Sequence, residues 1–285
     1  MTPGRHDNRA AATHNRAGRP RNGGRAMCWS LAASGAFAAA GLAAAAWTAR
    51  RGEPRAITAT VAYFALMEAL QAATWPVIGR CELPANQVLT VLGYLHIAFQ
   101  PVFINAFSLC FVPQAVARRL APWAYTLAGL AGILMIVQLY PFQWAGSCRV
   151  GRPLCGETLC SFTGSWHLAW SLPVNGIGNA LGEGVLGWFF DHGFPGYAIA
   201  GFLLPVAYGA WRITLFHYLL GPGLAHLLTD DPREWPAIWC LLSIAIVLVA
   251  LLPAVRPWLC TRTWPLWRRR EVDGEDLVPA ALVRA

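Results

Sequence analysis

The stretch Trp166–Phe190 (WHLAWSLPVNGIGNALGEGVLGWFF) places His167, Ser171, Asn175, Asn179 and Glu183 at four-residue intervals. On a helix such neighbours lie nearly above one another, so the spacing predicts one slowly drifting polar stripe. Gly176, Gly178, Gly182, Gly184 and Gly187 leave the rest of the segment thin, and Pro173 removes a backbone donor. A helix this polar and this thin cannot face lipid, so it reads as the wall of a buried site wrapped by neighbours.

Other polar groups fall where apolar runs place helices. Glu68 and Gln71 share a face by their three-residue spacing, as do His96 and Gln100 by their four-residue spacing. Arg212 and His217 belong to a later apolar run. At the helical rise, Glu68, Gln71, His96, Gln100, Asn175 and Arg212 come out about 12–19 Å below the outer helix ends. Buried charges in a bilayer face a cavity and pair with one another, so an ion pair between Glu68 and Arg212 is the structural alternative to a pocket. The pocket is expected to contain Glu68, Gln71, His96, Gln100, Ser171, Asn175, Asn179 and Arg212.

Three chemistries fit these residue types. Small-ligand or lipid-headgroup binding uses Arg212 to meet an anion and the amides to orient it. A metal-dependent hydrolase uses His96, His167, His217 and Glu68 to hold zinc or another divalent cation with a position open for activated water. A b-type haem requires two facing histidines at matched depth, and His96 has no clear mate. The ligand-binding reading leads, and the catalytic residues, if any, are not named by a motif. No P-loop, Rossmann glycine motif or G-x-S-x-G is present, which leaves ATP-driven and serine-esterase chemistry without support.

Of 285 residues, 56% are hydrophobic and 13% are charged, and the mean hydropathy is +0.43. Soluble domains carry about 25% charged residues. Together with apolar runs of helix-spanning length, this predicts an all-α, polytopic transmembrane bundle in the cell inner membrane. All 22 basic residues are arginine, so no lysine exists to hold retinal or PLP as a Schiff base. The +8 net charge is not a nucleic-acid signal: six of the arginines lie within residues 1–26. The expected partners are the bilayer and a small molecule or lipid.

Residues 1–26 read as a disordered basic extension, either an arm on anionic lipid or, the favoured reading, a segment upstream of a start at Met27. Seven spans are expected at about 29–49, 57–79, 87–112, 122–141, 166–190, 196–220 and 237–259, within a domain of residues 27–260, followed by a cytoplasmic tail 261–285. Placing Met27 outside gathers Arg50, Arg51, Arg55, Arg118, Arg119, Arg262 and Arg268–Arg270 inside, which gives an N-outside, C-inside topology. Cys81, Cys148, Cys155 and Cys160 then lie outside and are expected to form disulfides, with three pairings open. Cys28 is a small interfacial residue or, if exposed by methionine removal, an amino-terminal nucleophile. Asp230, Asp231 and Glu234 read as capping charge at a helix start.

The opening MCWSLAAS (27–34), with MEALQ (67–71), HIAFQP (96–101), WHLAW (166–170) and the Gly-Pro at 221–222, resembles uncharacterised bacterial membrane proteins that begin Met-Cys-(Trp or Phe)-Ser. The resemblance spans most of 27–260 and supports Met27 as the start; it implies no activity. Seven spans with an outside N-terminus are also similar to the alkaline ceramidase and progestin-receptor-like hydrolases, but the paired histidines of their last helix are missing here.

Overall fold

The computed structural model describes residues 29–177, 195–267 and 278–282. The proposed start, Cys28, Asn179 and Glu183 lie outside them. Helices α1 (Leu31–Arg50), α2 (Arg55–Thr74), α3 (Pro84–Leu109) and α4 (Gln114–Val137) follow one another through short turns. With the 3-10 turn Trp75–Val77 appended to α2, these four are long and apolar enough to cross a membrane. A β-hairpin follows, β1 (Cys160–Thr163) with β2 (Leu168–Ser171). Helix α5 then runs through Pro195–Ala198, a π-helical turn Ile199–Leu203, and Leu204–Ala207. Helix α6 comprises Trp211–Tyr218, a second π-helical turn Leu219–Gly223, and Leu224–Leu228. Helices α7 (Trp235–Ala250) and α8 (Arg256–Leu259) complete the bundle.

Small residues set how closely the helices approach. A Cβ on Gly41 of α1 would lie 2.7 Å from Ala65 Cβ of α2, and one on Gly132 of α4 would lie 2.7 Å from the Ala98 carbonyl of α3. Backbones this close gain dispersion contact without large side chains. At one end of the bundle, the indoles of Trp29 and Trp75 both donate to Ser34 Oγ, which ties the start of α1 to the end of α2. At the other end, Arg256 makes a bidentate pair with Glu53 at 2.9 and 2.5 Å.

The hairpin overturns the expectation of a span at 166–190. Leu168–Ser171 is a strand, antiparallel to β1 with Cys160 opposite Ser171 and Thr163 opposite Leu168. Local helical spacing loses here to tertiary ties. The Asn86 side chain pairs with both backbone groups of Ser161, at 2.8 and 2.9 Å, like a neighbouring strand. Thr90 and Ser161 hydroxyls meet at 2.7 Å, and Cys81–Cys160 fastens β1 to the start of α3. Cys148–Cys155 closes the second disulfide, so one of the three open pairings is realised.

The expected span 196–220 is also divided. Gly209 adopts φ +99°, a conformation that a side chain strains, and the chain reverses there. The indoles of Trp264 and Trp267 donate to the Ala207 and Tyr208 carbonyls and cap this corner. The Gly-Pro at 221–222, which reads as a turn, lies inside α6 because a π-helical turn accommodates the missing donor of Pro222.

Candidate functional site

Along one face of α2 stand Glu68, Gln71 and Trp75, at spacings of three and four residues, over about 10 Å of helix. Glu68 and Gln71 are fully buried, and neither carboxylate oxygen of Glu68 nor either amide atom of Gln71 has a hydrogen-bond partner. The Nε2 atoms of His96 and His167 are buried and unpartnered as well. More than nine in ten buried polar groups in folded proteins are satisfied, and an open one costs about 1–3 kcal/mol. Four such atoms stand on one face of α2, with a fifth on His96 of the neighbouring α3 and a sixth on His167 beside Trp75.

The lower boundary of this region is a connected polar layer. Tyr197 of α5 donates to Gln100 Oε1 at 2.6 Å, and Gln100 Nε2 approaches the Cys240 sulfur of α7 at 3.4 Å. Cys240 is within electrostatic reach of Glu68. Tyr63 of α2 is stacked between His96 (3.8 Å between ring centroids) and Phe103 (3.7 Å), with its hydroxyl donating to the His96 carbonyl.

At the upper end, His167 sits beneath the hairpin turn among Trp29, Trp75 and Trp166, at centroid distances of 5.5, 6.2 and 6.5 Å. Burial pushes its imidazole pKa down to about 3, so it is neutral at ordinary pH. Its Nδ1 accepts from the Leu168 N–H at 2.7 Å. The proton therefore sits on Nε2, which makes that atom a donor.

The turn holding His167 is fixed by Glu234, at the start of α7. One carboxylate oxygen accepts from Ser165 N–H (2.6 Å) and Ser165 Oγ (2.9 Å), and the other from Trp166 N–H (2.8 Å) and His167 N–H (2.9 Å). Glu234 does stand at a helix start, as expected, but its side chain makes no capping bond to α7 and latches the hairpin instead. Asp231 serves locally: burial alone would raise its pKa, but hydrogen bonds from Arg233 outweigh this and lower it.

Of the expected pocket, Glu68 and Gln71 share a face of α2, Cys240 lies between Glu68 and Gln100 of α3, and His96 stacks on Tyr63. Ser171 and Asn175 do not join them. Ser171 Oγ donates to the Thr158 carbonyl, and Asn175 Nδ2 caps the end of α4 through the Val137 and Tyr140 carbonyls. Arg212 is placed at the opposite end, in the first turn of α6, where it donates to the Trp258 carbonyl at 3.0 Å and lies over Trp211. The reversal at Gly209 puts it there, so it pairs with neither Glu68 nor an anion in the column. Asn179 lies outside the described residues.

The metal set is likewise divided. His217 Nε2 accepts from the Trp239 indole at 2.9 Å and lines a separate cavity of about 20 Å³ with Thr60, Ser108 and Ser243, room for about one water. Among the described residues, no three His, Cys, Asp or Glu side chains are gathered as ligands of one metal ion. Sequence reasoning missed Tyr63, Tyr197 and Cys240, whose apolar surroundings carry no polar period, and gave Glu234 only a local role.

No curated protein and no solved structure matches the chain. Residues 32–260 match the model of a family described as a family of unknown function (DUF5765), and the chain belongs to that family.

Proposed function

We propose that this is a multi-pass inner-membrane protein of seven passes that holds a small polar ligand or a lipid headgroup in the α2 column, as a sensor or transporter does. The observation that carries the reading is the set of six unpartnered buried atoms on Glu68, Gln71, His96 and His167. A packed structural core satisfies such groups internally; a binding site leaves them for the ligand.

The ends of the bundle support an orientation with the hairpin outside. Both disulfides belong to the hairpin end. Arg50, Arg51, Arg55, Arg118, Arg119, Arg212, Arg256 and Arg262 belong to the other, against Arg80, Arg149, Arg152 and Arg233 around the hairpin. Disulfides persist in oxidising compartments, and arginine accumulates on the cytoplasmic side. The broad apolar exposure of α4, including Trp123, Leu130 and Leu134, suits contact with lipid.

Cysteine accessibility tests this reading without knowledge of the ligand. In right-side-out vesicles, with Cys28, Cys110, Cys240 and Cys260 replaced by alanine, Gln71→Cys reacts with a membrane-impermeant methanethiosulfonate. Val61→Cys, one helix face away in the dry core, does not react. An unreactive Gln71→Cys beside a reactive Trp144→Cys, on the exposed loop, would remove the outward-open site.

A further inference from the structure

We propose that the α2 column selects a ligand bearing a primary or secondary ammonium group with an oxygen acceptor on a neighbouring carbon. This rests on the ligand-binding reading above and assigns the chemical class of its ligand. It reverses the anionic ligand that Arg212 implied from sequence.

The first argument is charge. Apart from Glu68, no Asp, Glu or Arg lies in α2 beyond its first residue, nor in α3, α5 or α7, and the chain contains no lysine. Arg212 is occupied at the far end. A fully buried carboxyl group with no cationic neighbour carries its charge only opposite a cation, and as a carboxylate it repels an anion. A zinc site takes three or four His, Cys or carboxylate ligands, and among the described residues no three such side chains are gathered.

The second argument is the direction of each unpartnered bond. Once ionised opposite a cation, Glu68 offers two acceptor oxygens and Gln71 Oε1 a third, which an ammonium N–H satisfies and a quaternary ammonium does not. Gln71 Nε2 and the His167 Nε2–H are donors, so the same ligand must also present an oxygen. Glu68 and Gln71 are offset by about 4.5 Å along the helix, which sets the cationic and oxygen ends one short spacer apart. Trp75, on the same helix face as Glu68 and Gln71, supplies an aromatic ring beside the column, a favourable wall for an alkylammonium. Ethanolamine has this chemistry, either free or as a phospholipid headgroup.

The full-length protein in detergent is titrated calorimetrically with ethanolamine, choline and inorganic phosphate. In parallel, native mass spectrometry follows retention of phosphatidylethanolamine and phosphatidylcholine. Saturable ethanolamine binding, weakened at least tenfold with choline or in Glu68→Gln, supports the proposal with a free amine as ligand. Retention of phosphatidylethanolamine over phosphatidylcholine, lost in Glu68→Gln, supports it with a lipid source. Glu68→Gln keeps the side-chain size, and the choline comparison uses unaltered protein, so misfolding does not mimic the result. Equal binding of choline, or binding unchanged in Glu68→Gln, overturns the ammonium class. Phosphate binding alone also overturns it and leaves the polar site standing. If no probe binds, the ammonium class fails, and the Gln71→Cys accessibility decides separately whether the site itself exists.

Discussion

His167 is neutral because it is buried among three indoles, and that neutrality makes the hairpin end sensitive to acid. An unfolded histidine titrates near 6.5, while in the fold burial lowers the value to about 3. Below about pH 6.5 the unfolded chain gains a proton that the folded chain refuses, at up to about 1.36 kcal/mol per pH unit. Its contribution is therefore complete above pH 6.5 and is lost as pH falls toward 3. Thermal melts between pH 7.5 and 4.5 should show Tm falling, with a shallower fall in His167→Phe, which fills the indole pocket without a proton site. An equal slope in both proteins would mean that other groups set the acid limit. The pairs Glu68 with Gln71 and His96 with Gln100 were legible from spacing alone, because α2 and α3 are regular and i,i+3 or i,i+4 pairs on such helices share a face. Arg212 was not, because its depth depended on a reversal at Gly209 that no familiar turn sequence announces.

Among the elements, the hairpin carries the greatest structural demand for its length. Its turn has room for hydrogen only at Gly164, where a Cβ would come within 2.3 Å of Glu234 Cδ. Gly164→Ala must displace the latch, so a loss of about 1–3 kcal/mol is expected, the usual cost of overpacking a fixed site. Limited proteolysis should then cut near residues 164–167 faster than in the wild type, with cleavage elsewhere unchanged. The sequence pointed to a helix here for a physical reason. Leu168–Ser171 is buried on both faces, so it lacks the alternation that marks a half-exposed strand. What makes it a strand lies elsewhere in the chain, in Asn86, Cys81 and Glu234. Helices α1 to α4 needed no such distant information, since their apolar length alone defines them.

At the scale of the whole molecule, the two disulfides bind the loop region to itself and to the bundle. The Cys81–Cys160 link spans a sequence separation of 79, and closing a loop of that size is worth about 4 kcal/mol of chain entropy. Reduction with dithiothreitol should lower Tm markedly, and Cys81→Ser with Cys160→Ser should reproduce most of that drop; if Cys148→Ser with Cys155→Ser does so instead, the long-range link is not the main restraint. The mostly helical make-up and the four helices of membrane-spanning length followed from composition and apolar length, whereas the disulfide pairing depended on the three-dimensional path. The Glu234 latch also has a meaning in time. A chain emerges from the ribosome amino-terminus first, so residues 165–167 exist well before Glu234 does. Until the start of α7 arrives, the turn's three backbone donors have no carboxylate to meet, and β1 is retained by Asn86 and the Cys81 link. The last long helix thus acts as a completion signal: a nascent chain stopped before residue 234 should expose its hairpin to quality-control proteases, and the finished one should hide it.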